Sequence, residues 1–289
     1  MLETSDLLKR VRKIEIKTKG LSRNIFAGEY HSVFKGRGMA FSEVRDYHYG
    51  DPIRDIDWNV TARFNKPYVK VFEEERELTV MILIDMSGSQ SLGSRMRTKR
   101  EYIAEIAAVL SFSAIQNNDK IGVILFSDTI EKFIPPQKGR KHILRVIREI
   151  LKFEPSSTGT SIPHALRYFT NVIKRRCTAF IISDFADDEP LYDTLSIANK
   201  KHDLMAIRVS DPLDEEIPNV GLVKVRDVET GKEQWVDTAS SKVRNKIKEQ
   251  HSLRIQKIEN ACMRAGVDSV AVQSNKDYVV PLMQLFKNR

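Results

Sequence analysis

Apolar and polar residues repeat along the chain with two spacings, one typical of buried strands and the other of amphipathic helices. Short apolar runs predict strands at 78–84, 121–127, 178–184, 204–210 and 267–273. Helical spacing of apolar residues separates these runs, over 96–116, 140–152, 161–175 and 240–265, and a last helix closes the chain. This alternation predicts an α/β fold: a doubly wound, mostly parallel sheet with helices on both faces.

Three segments depart from the simple alternation. Residues 129–135 predict an edge strand that Pro135 and Pro136 bring to an end. The acidic run 187–189 followed by Pro190 predicts the start of a helix that continues to about Lys201. Two short strand-like runs within 220–237 predict a hairpin inserted into the main pattern.

The first quarter of the chain has a different texture from the rest. Residues 6–19 have helical spacing, and a segment rich in turns and aromatic residues follows, with one strand-like run at 68–72. We therefore expect two domains. Residues 1–77 would form a helix and a small β-rich platform packed on the main domain, and residues 78–289 would form the α/β domain itself.

Composition places the chain among globular proteins. Its residues are 41% hydrophobic and 30% charged, and no window approaches the apolar length of a membrane span. The first residues lack the apolar stretch of a secretory signal, so we expect a cytoplasmic protein without a membrane span. The two cysteines, Cys177 and Cys262, stand outside any metal-binding spacing, which favours buried, reduced thiols.

The net charge of +8 is concentrated in residues 90–176, which hold 16 basic and 7 acidic side chains. Solvated helix faces are the favoured interpretation of this excess. A surface for an acidic partner or for nucleic acid is the alternative. No basic and aromatic interleaving of the kind found in single-strand binders occurs, so nucleic acid is the less favoured partner.

Oxygen-bearing side chains follow the predicted strands at their carboxyl ends. Asp85, Ser87 and Ser89 come directly after the strand 78–84, Thr160 precedes the helix 161–175, and Asp184 ends the strand 178–184. Ligands of open α/β sheets bind at this edge. One carboxylate and several hydroxyls suit a hard cation such as Mg²⁺. The triplet after the first strand, taken alone, would equally suit a helix-capping turn.

The three segments together resemble the metal-ion-dependent adhesion site of von Willebrand factor A domains. The resemblance implies that Asp85, Ser87, Ser89, Thr160 and Asp184 bind Mg²⁺ or Mn²⁺, with Asp184 acting through water. It also implies a protein–protein interaction module rather than an enzyme. On this interpretation the ion keeps an open position for an acidic side chain of a partner.

The segment 36–63 carries a second resemblance, through Gly36-Arg37-Gly38, the run 41–47, and 50–58. It is similar to the bacterial domain-of-unknown-function family fifty-eight, in which such a segment precedes a von Willebrand A-like domain. Because genes of that family often accompany those of MoxR-type AAA+ ATPases, an ATPase of this type is the implied partner. The charged residues around Tyr47 and Trp58 favour an ion-paired, aromatic-filled platform over a contact surface; they are Arg45, Asp51, Arg54, Asp57 and Arg63.

Other functions lack their characteristic motifs. The chain has no phosphate-binding loop, and Ser87 stands where an aspartyl-phosphate enzyme would have a second aspartate. His142 and His164 have no evident catalytic partner, and we expect both at the surface. A metal-dependent hydrolase remains the alternative from another class. The basic residues Arg95, Arg97, Lys99 and Arg100 would either steer an acidic partner to the metal or form a solvated helical turn.

Overall fold

A computed structural model describes residues 11–12, 14–15, 40–73, 78–91, 98–187, 189–215, 217–226 and 233–287. The chain divides into two compact units. The small unit is Phe34–Leu78, and the large unit combines Met1–Val33 with Thr79–Arg289. The small unit ends where the sequence predicts the main domain to begin.

The small unit is built on an antiparallel pair of strands, β1 (Ala40–Asp46) and β2 (Tyr68–Glu73). Between them in the sequence lies the helix α1 (Trp58–Phe64), in which the amides of Asn59 and Val60 donate to the carboxylate of Asp57 at 3.0 and 3.2 Å. Such a side-chain cap satisfies donors that have no partner within the helix. Strand β2 confirms the strand predicted at 68–72.

Ion pairing in the small unit follows the prediction, whereas its aromatic filling does not. The guanidinium of Arg45 donates two hydrogen bonds of 2.8 Å to the carboxylate of Asp51, and this contact lowers the pKa of Asp51 to about 2. Asp57 lies 3.6 Å from the ammonium of Lys70. Trp58, however, is 66% exposed, so it does not fill a core within this unit.

The large unit contains a six-stranded sheet in the order β10-β7-β6-β3-β4-β5. All neighbours are parallel except β4 and β5, which confirms a mostly parallel α/β sheet. The strands are β3 (Thr79–Asp85), β4 (Lys120–Phe126), β5 (Ile130–Gln137), β6 (Thr178–Ser183), β7 (Asp203–Ser210) and β10 (Asp268–Gln273). A separate hairpin joins β8 (Leu222–Arg226) to β9 (Glu233–Asp237), as predicted.

Helices cover both faces of the sheet. They are α2 (Lys99–Gln116), α3 (Arg140–Lys152), α4 (Ile162–Val172), α5 (Tyr192–Lys201), α6 (Pro212–Glu215), α7 (Ser241–Ala265) and α8 (Val279–Lys287). On one face α4, α5 and α7 share a core cluster with Met81 and Leu83. On the other, Tyr102 of α2 and Phe286 of α8 pack edge-on against Tyr278 and Phe180.

Helix α2 is more deeply buried than its sequence predicts. An amphipathic stripe was expected, but nearly every residue from Lys99 to Ala114 is inaccessible, including Ser111 and Ser113. The reason is that α2 lies between the sheet and α3. In α3, by contrast, apolar residues are buried while Arg145 and Arg148 are exposed, which is the solvated basic face predicted for this region.

Two predicted boundaries were wrong. Strand β5 passes through Pro135 and Pro136 to Gln137, because an antiparallel edge strand with an irregular register can accommodate residues that donate no hydrogen bond. Helix α5 begins at Tyr192 rather than in the acidic run before it. The short helix α6 was not predicted.

The remaining predictions about the large unit concern its cysteines and its N-terminal helix. Cys177 and Cys262 are both buried and unbridged, as expected. Residues 11–12 and 14–15 are helical, with Val11 and Ile14 buried; the rest of the predicted helix 6–19 lies outside the described residues. Nowhere in the described ranges is a helix both long and apolar enough to cross a membrane.

Candidate metal centre

The first loop of the candidate site begins where β3 ends. Asp85 is fully buried, and its Oδ1 accepts a hydrogen bond of 2.8 Å from the backbone amide of Ser87. This turn brings the hydroxyls of Ser87 and Ser89 to within 3.1 Å of each other. Two hydroxyl oxygens at this spacing, beside a carboxylate, form the converging oxygen set that the sequence predicts.

The second loop is joined to the first through its backbone. The amide of Gly88 donates to the carbonyl of Thr158 at 3.0 Å, and the amide of Ser161 donates to the carbonyl of Ser127 at 3.0 Å. Thr160 lies between these two contacts and is half-buried. The predicted threonine ligand is therefore held at the same edge of the sheet as Asp85.

Glu131 of β5 anchors the second loop. Its carboxylate accepts hydrogen bonds from the hydroxyls of Ser127 and Ser156 at 2.7 and 2.8 Å, and from the amides of Ser156 and Ser157 at 3.0 and 3.3 Å. Burial opposes ionisation of Glu131, but these hydrogen bonds outweigh it and lower its pKa. A charged acceptor thus fixes the residues just before Thr160.

The third loop follows β6 and closes against the first. The hydroxyl of Ser183 donates to Oδ2 of Asp85 at 2.6 Å and accepts from the amide of Phe185 at 2.9 Å. Phe185 has a left-handed backbone (φ 56°), which is costly for a residue with a bulky side chain. This conformation lets Phe185 enter the core while Asp184 stays at the edge of the sheet, with its side chain 9% exposed.

The second and third loops are also joined directly. Asp187 accepts a hydrogen bond of 2.8 Å from the first amide of α4, that of Ile162, and Glu189 accepts one of 3.0 Å from the hydroxyl of Ser161. These acids therefore serve α4, whereas the sequence predicted that they begin the next helix. Each of the three loops is consequently bonded to the other two.

The electrostatics of Asp85 favour a cation nearby. Burial, and then the negative charge of Asp184, raise the pKa of Asp85 to about 7. Two carboxyl groups that raise each other's pKa by their charge are stable as anions only with positive charge between or beside them. Hydrogen bonds bring together Asp85, Ser87 and Ser89. Asp184 follows Ser183 at the same edge, and Thr160 is placed by its backbone neighbours.

One positive charge is supplied by Lys99, the first residue of α2. Its ammonium lies 3.3 Å from Oδ2 of Asp184 and 2.6 Å from Oδ2 of Asp214 in α6, and Lys99 is only 1% exposed. This overturns both interpretations of Lys99, as a steering charge and as part of a solvated turn. Arg100 is half-buried and donates to the carbonyl of Phe153, so it is not a solvated charge either. Arg95 and Arg97 lie outside the described residues.

Gln90 provides a test of whether these residues suit a metal ion. Its side chain is fully buried, its Nε2 lies 3.3 Å from the hydroxyl of Ser89, and its Oε1 has no hydrogen-bond partner. A buried acceptor without a partner is costly. If the lone pairs of Ser89 bound a cation, its hydroxyl could act only as a donor. Its partner would then be the Oε1 of Gln90 rather than the Nε2. The oxygen set and this unsatisfied acceptor fit a hard divalent ion.

The described residues include no cluster of three or more histidine, cysteine, aspartate or glutamate side chains that could hold a metal. A site here would therefore depend on hydroxyl oxygens.

Of the two histidines considered as catalytic bases, His142 is buried, contrary to expectation, and its Nε2 bonds the carbonyl of Ile121 at 2.8 Å. His164 is exposed, and its Nδ1 bonds the carbonyl of Asp128.

Sequence reasoning did not predict the contacts of four residues at this edge: Ser183, Lys99, Asp214 and Glu131. The signal for Ser183 is its position directly before the predicted ligand Asp184, at the end of a buried strand. The contacts of Lys99 carry no local signal, since Asp184 and Asp214 are far from it in sequence.

Comparison with known proteins identifies the family. The family described as Protein of unknown function DUF58 matches residues 43–256, well over half of the chain. The chain belongs to this family. The match spans all three loops of the candidate site, and it confirms the resemblance of the chain to this family.

Relatives of this DUF58 chain include the uncharacterized protein Rv1480 of Mycobacterium tuberculosis, 26% identical over 292 residues, which cover 100% of this chain and 91% of the relative. YeaD of Bacillus subtilis is 24% identical over 109 residues, covering 38% and 25%. Among solved structures, BatB of Bacteroides thetaiotaomicron gives a TM-score of 0.48 at 17% identity, covering 73% and 98% of the two chains. The SpRpn10 VWA domain gives 0.38 at 13%, covering 74% and 96%.

Proposed function

We propose that this DUF58 protein is a metal-dependent protein-interaction module. A divalent cation, Mg²⁺ or Mn²⁺, would be held by Asp85, Ser87, Ser89, Thr160 and Asp184. The observation that carries the proposal is the meeting of three loops at one edge of the sheet, with hydroxyls 3.1 Å apart beside a buried carboxylate. Oxygen ligands of this kind are those that Mg²⁺ and Mn²⁺ prefer.

Exposure supports an open coordination position. Asp85 and Ser87 are buried and the side chain of Asp184 is only 9% exposed, whereas Ser89 and Thr160 are half-buried, so the bound ion would face solvent on the side of Ser89 and Thr160. With neutral hydroxyls as most of its ligands, the ion would keep excess positive charge. An incoming carboxylate from another protein would therefore gain more here than at a site rich in carboxylates.

We further propose that the partner is a MoxR-type AAA+ ATPase that contributes an aspartate or glutamate to the ion. The role would be binding rather than catalysis, in the cytoplasm. Support comes from the family membership together with the exposed side of the candidate site. Nothing in the described part of the chain favours the hydrolase or the nucleic-acid alternative.

The test is a binding measurement between the purified full chain and a MoxR-type ATPase from the same organism, in Mg²⁺ and in EDTA. We expect binding in Mg²⁺ that EDTA abolishes. Asp85→Ala and Thr160→Ala should each reduce affinity at least tenfold, which corresponds to about 1.4 kcal/mol.

Thr194→Ala is the matched control. This threonine lies near the start of α5, and its hydroxyl bonds the carbonyl of Leu191. The control should bind as the wild type does. Equal affinity in Mg²⁺, in EDTA and in all three variants would show that recognition lies elsewhere on the protein.

A further inference from the structure

Lys99 occupies a position that packing and helix electrostatics both disfavour. It is the first residue of α2, after the cap Thr98, where the positive end of the helix dipole repels a cation. It is also 1% exposed, and burying a charged ammonium is costly unless it is closely paired. The large unit therefore holds this charge at the edge of the sheet against two opposing effects.

Two carboxylates from different elements hold it there. Asp184 lies in the loop after β6, and Asp214 lies in the short helix α6 after β7. Burial alone would lower the pKa of Lys99, but the charges of Asp184 and Asp214 outweigh it and raise the pKa. The ammonium stays charged and shared between one proposed metal-loop residue and one residue outside the metal loops.

We infer that Lys99 is a built-in competitor of the metal ion, which holds Asp184 in the metal-free protein and yields it when a divalent cation binds. This inference rests on the proposed function and adds a means of regulating it. On metal binding Lys99 would retain Asp214, so the shorter of its two contacts, 2.6 Å against 3.3 Å, is the one that persists.

The release of Asp184 by Lys99 would change the charge at a neighbouring cavity. A space of about 210 Å³ is lined by Ser89, Lys99, Asp184 and Asp214 on one side and by His251 and Arg254 of α7 on the other. Because α6 also contacts α7, the Lys99–Asp214 pair links the metal loops to the long helix. The charge presented at this cavity would differ between the metal-free and the metal-bound protein.

The decisive measurement is Mn²⁺ titration calorimetry on the full chain, with four single variants. Lys99→Met should bind Mn²⁺ at least about tenfold more tightly than the wild type, because a competing charge is gone and two carboxylates are left unneutralised. A lysine with only a structural role would give the opposite result, since its loss would loosen the loop and weaken binding. Lys132→Met, which removes another paired lysine, is the control and should leave the affinity unchanged.

Asp214→Asn tests the other half of the pair. With this partner gone, Lys99 should bind Asp184 alone and weaken Mn²⁺ binding at least threefold. In the double variant Lys99→Met/Asp214→Asn this weakening should largely disappear, because Asp214 is proposed to act through Lys99. Equal weakening in both backgrounds would mean that Asp214 acts by its own charge and would overturn the inference.

Asp85→Ala separates this inference from the proposed function. If the wild type binds Mn²⁺, Asp85→Ala does not, and Lys99→Met matches the wild type or binds more weakly, the metal site stands and the competition is wrong. If neither the wild type nor Lys99→Met binds Mn²⁺, both are wrong. Should Lys99→Met fail to fold, as judged by circular dichroism, Lys99→Gln replaces it in the same cycle.

Discussion

Ser183 joins two loops of the candidate site through one hydroxyl. This O–H donates to the buried carboxylate of Asp85, and its oxygen accepts from the amide of Phe185. We predict that Ser183→Ala lowers the free energy of unfolding by about 1–3 kcal/mol, because the buried amide and carboxylate each lose a partner. Urea denaturation measures this, with the exposed Ser252→Ala as control. A change below about 0.5 kcal/mol, the usual range for surface substitutions, would contradict it.

His202 makes the large unit sensitive to acid. It is buried against the ring of Phe169, with centroids 4.4 Å apart, and its Nδ1 lies 3.4 Å from the sulfur of Cys177. Burial, and then the charges of Lys201 and Arg176, lower the pKa of His202 to about 4 from its ordinary value of 6.5. The unfolded chain therefore binds the proton more readily than the folded one.

It follows that the stabilising effect of neutral His202 is present above about pH 6.5 and is lost as the pH falls towards 4. We predict that the wild type loses about 1–3 kcal/mol more stability over this interval than His202→Gln does. Denaturation curves at pH 7 and pH 4.5 give the comparison. His164→Gln, at an exposed histidine, should behave as the wild type; if His202→Gln does too, the acid sensitivity has another source.

At the scale of residues, prediction from sequence succeeded where the signal was local. Asp85, Ser87 and Ser89 lie within one turn, so their spacing alone predicts that their oxygens converge, and the structure brings them together. The metal itself remains a prediction. The environment of Lys99 could not be predicted, because it depends on carboxylates delivered by two other loops. Its position in a basic run suggested a solvated charge.

At the scale of elements, the loop that carries Thr160 depends on a strand that contributes no proposed ligand. Glu131 in β5 accepts four hydrogen bonds, one from Ser127 and three from Ser156 and Ser157 in the loop before Thr160. We predict that Glu131→Gln speeds amide hydrogen exchange in residues 154–161 by about tenfold or more. The reason is that an amide group cannot replace both oxygens of a charged acceptor, and each charge-assisted bond contributes about 1.5–3 kcal/mol.

Exchange measured by mass spectrometry tests this, with Glu149→Gln as control. Glu149 is also a paired glutamate, bonded to Lys132, but it lies on α3. If both variants leave exchange in 154–161 unchanged, Glu131 does not anchor the loop.

The positions of strands and helices were predicted well because buried strands and amphipathic helices have distinct periods. The strands β3, β4, β6 and β7 lie within a residue of their predicted bounds. The errors occurred where tertiary contacts decide. Asp187 caps α4 instead of starting α5, and this could not be seen without knowing that the two loops meet.

At the scale of the whole molecule, a ligand that binds only the folded state stabilises it by mass action. We predict that saturating Mg²⁺ or Mn²⁺ raises the melting temperature of the chain, with about 2.7 kcal/mol of added stability when the free ion is at one hundred times its Kd. Asp85→Ala should abolish the shift. Differential scanning calorimetry in metal and in EDTA decides this, and equal melting temperatures at millimolar metal would refute the site.

The family match, the sheet and the division into two units are the features that belong to the scale of the whole chain. The mostly parallel sheet was predicted, and the structure confirms it. The packing of the small unit on the main domain remains a prediction. The exposed Trp58 shows that sequence alone overestimated how far this residue is buried.

The two prolines within β5 restrict how another protein can approach the sheet. Pro135 and Pro136 lie where the register of β5 shifts against β4, and neither has an amide hydrogen, so this part of the edge strand lacks two consecutive donors. A strand of another protein that paired with β5 would lack hydrogen bonds at these positions. Edge-to-edge pairing of two copies of this chain would be impaired for the same reason. Extension of the sheet by a guest peptide is thus disfavoured at this end, which leaves side-chain recognition as the more accessible mode of association.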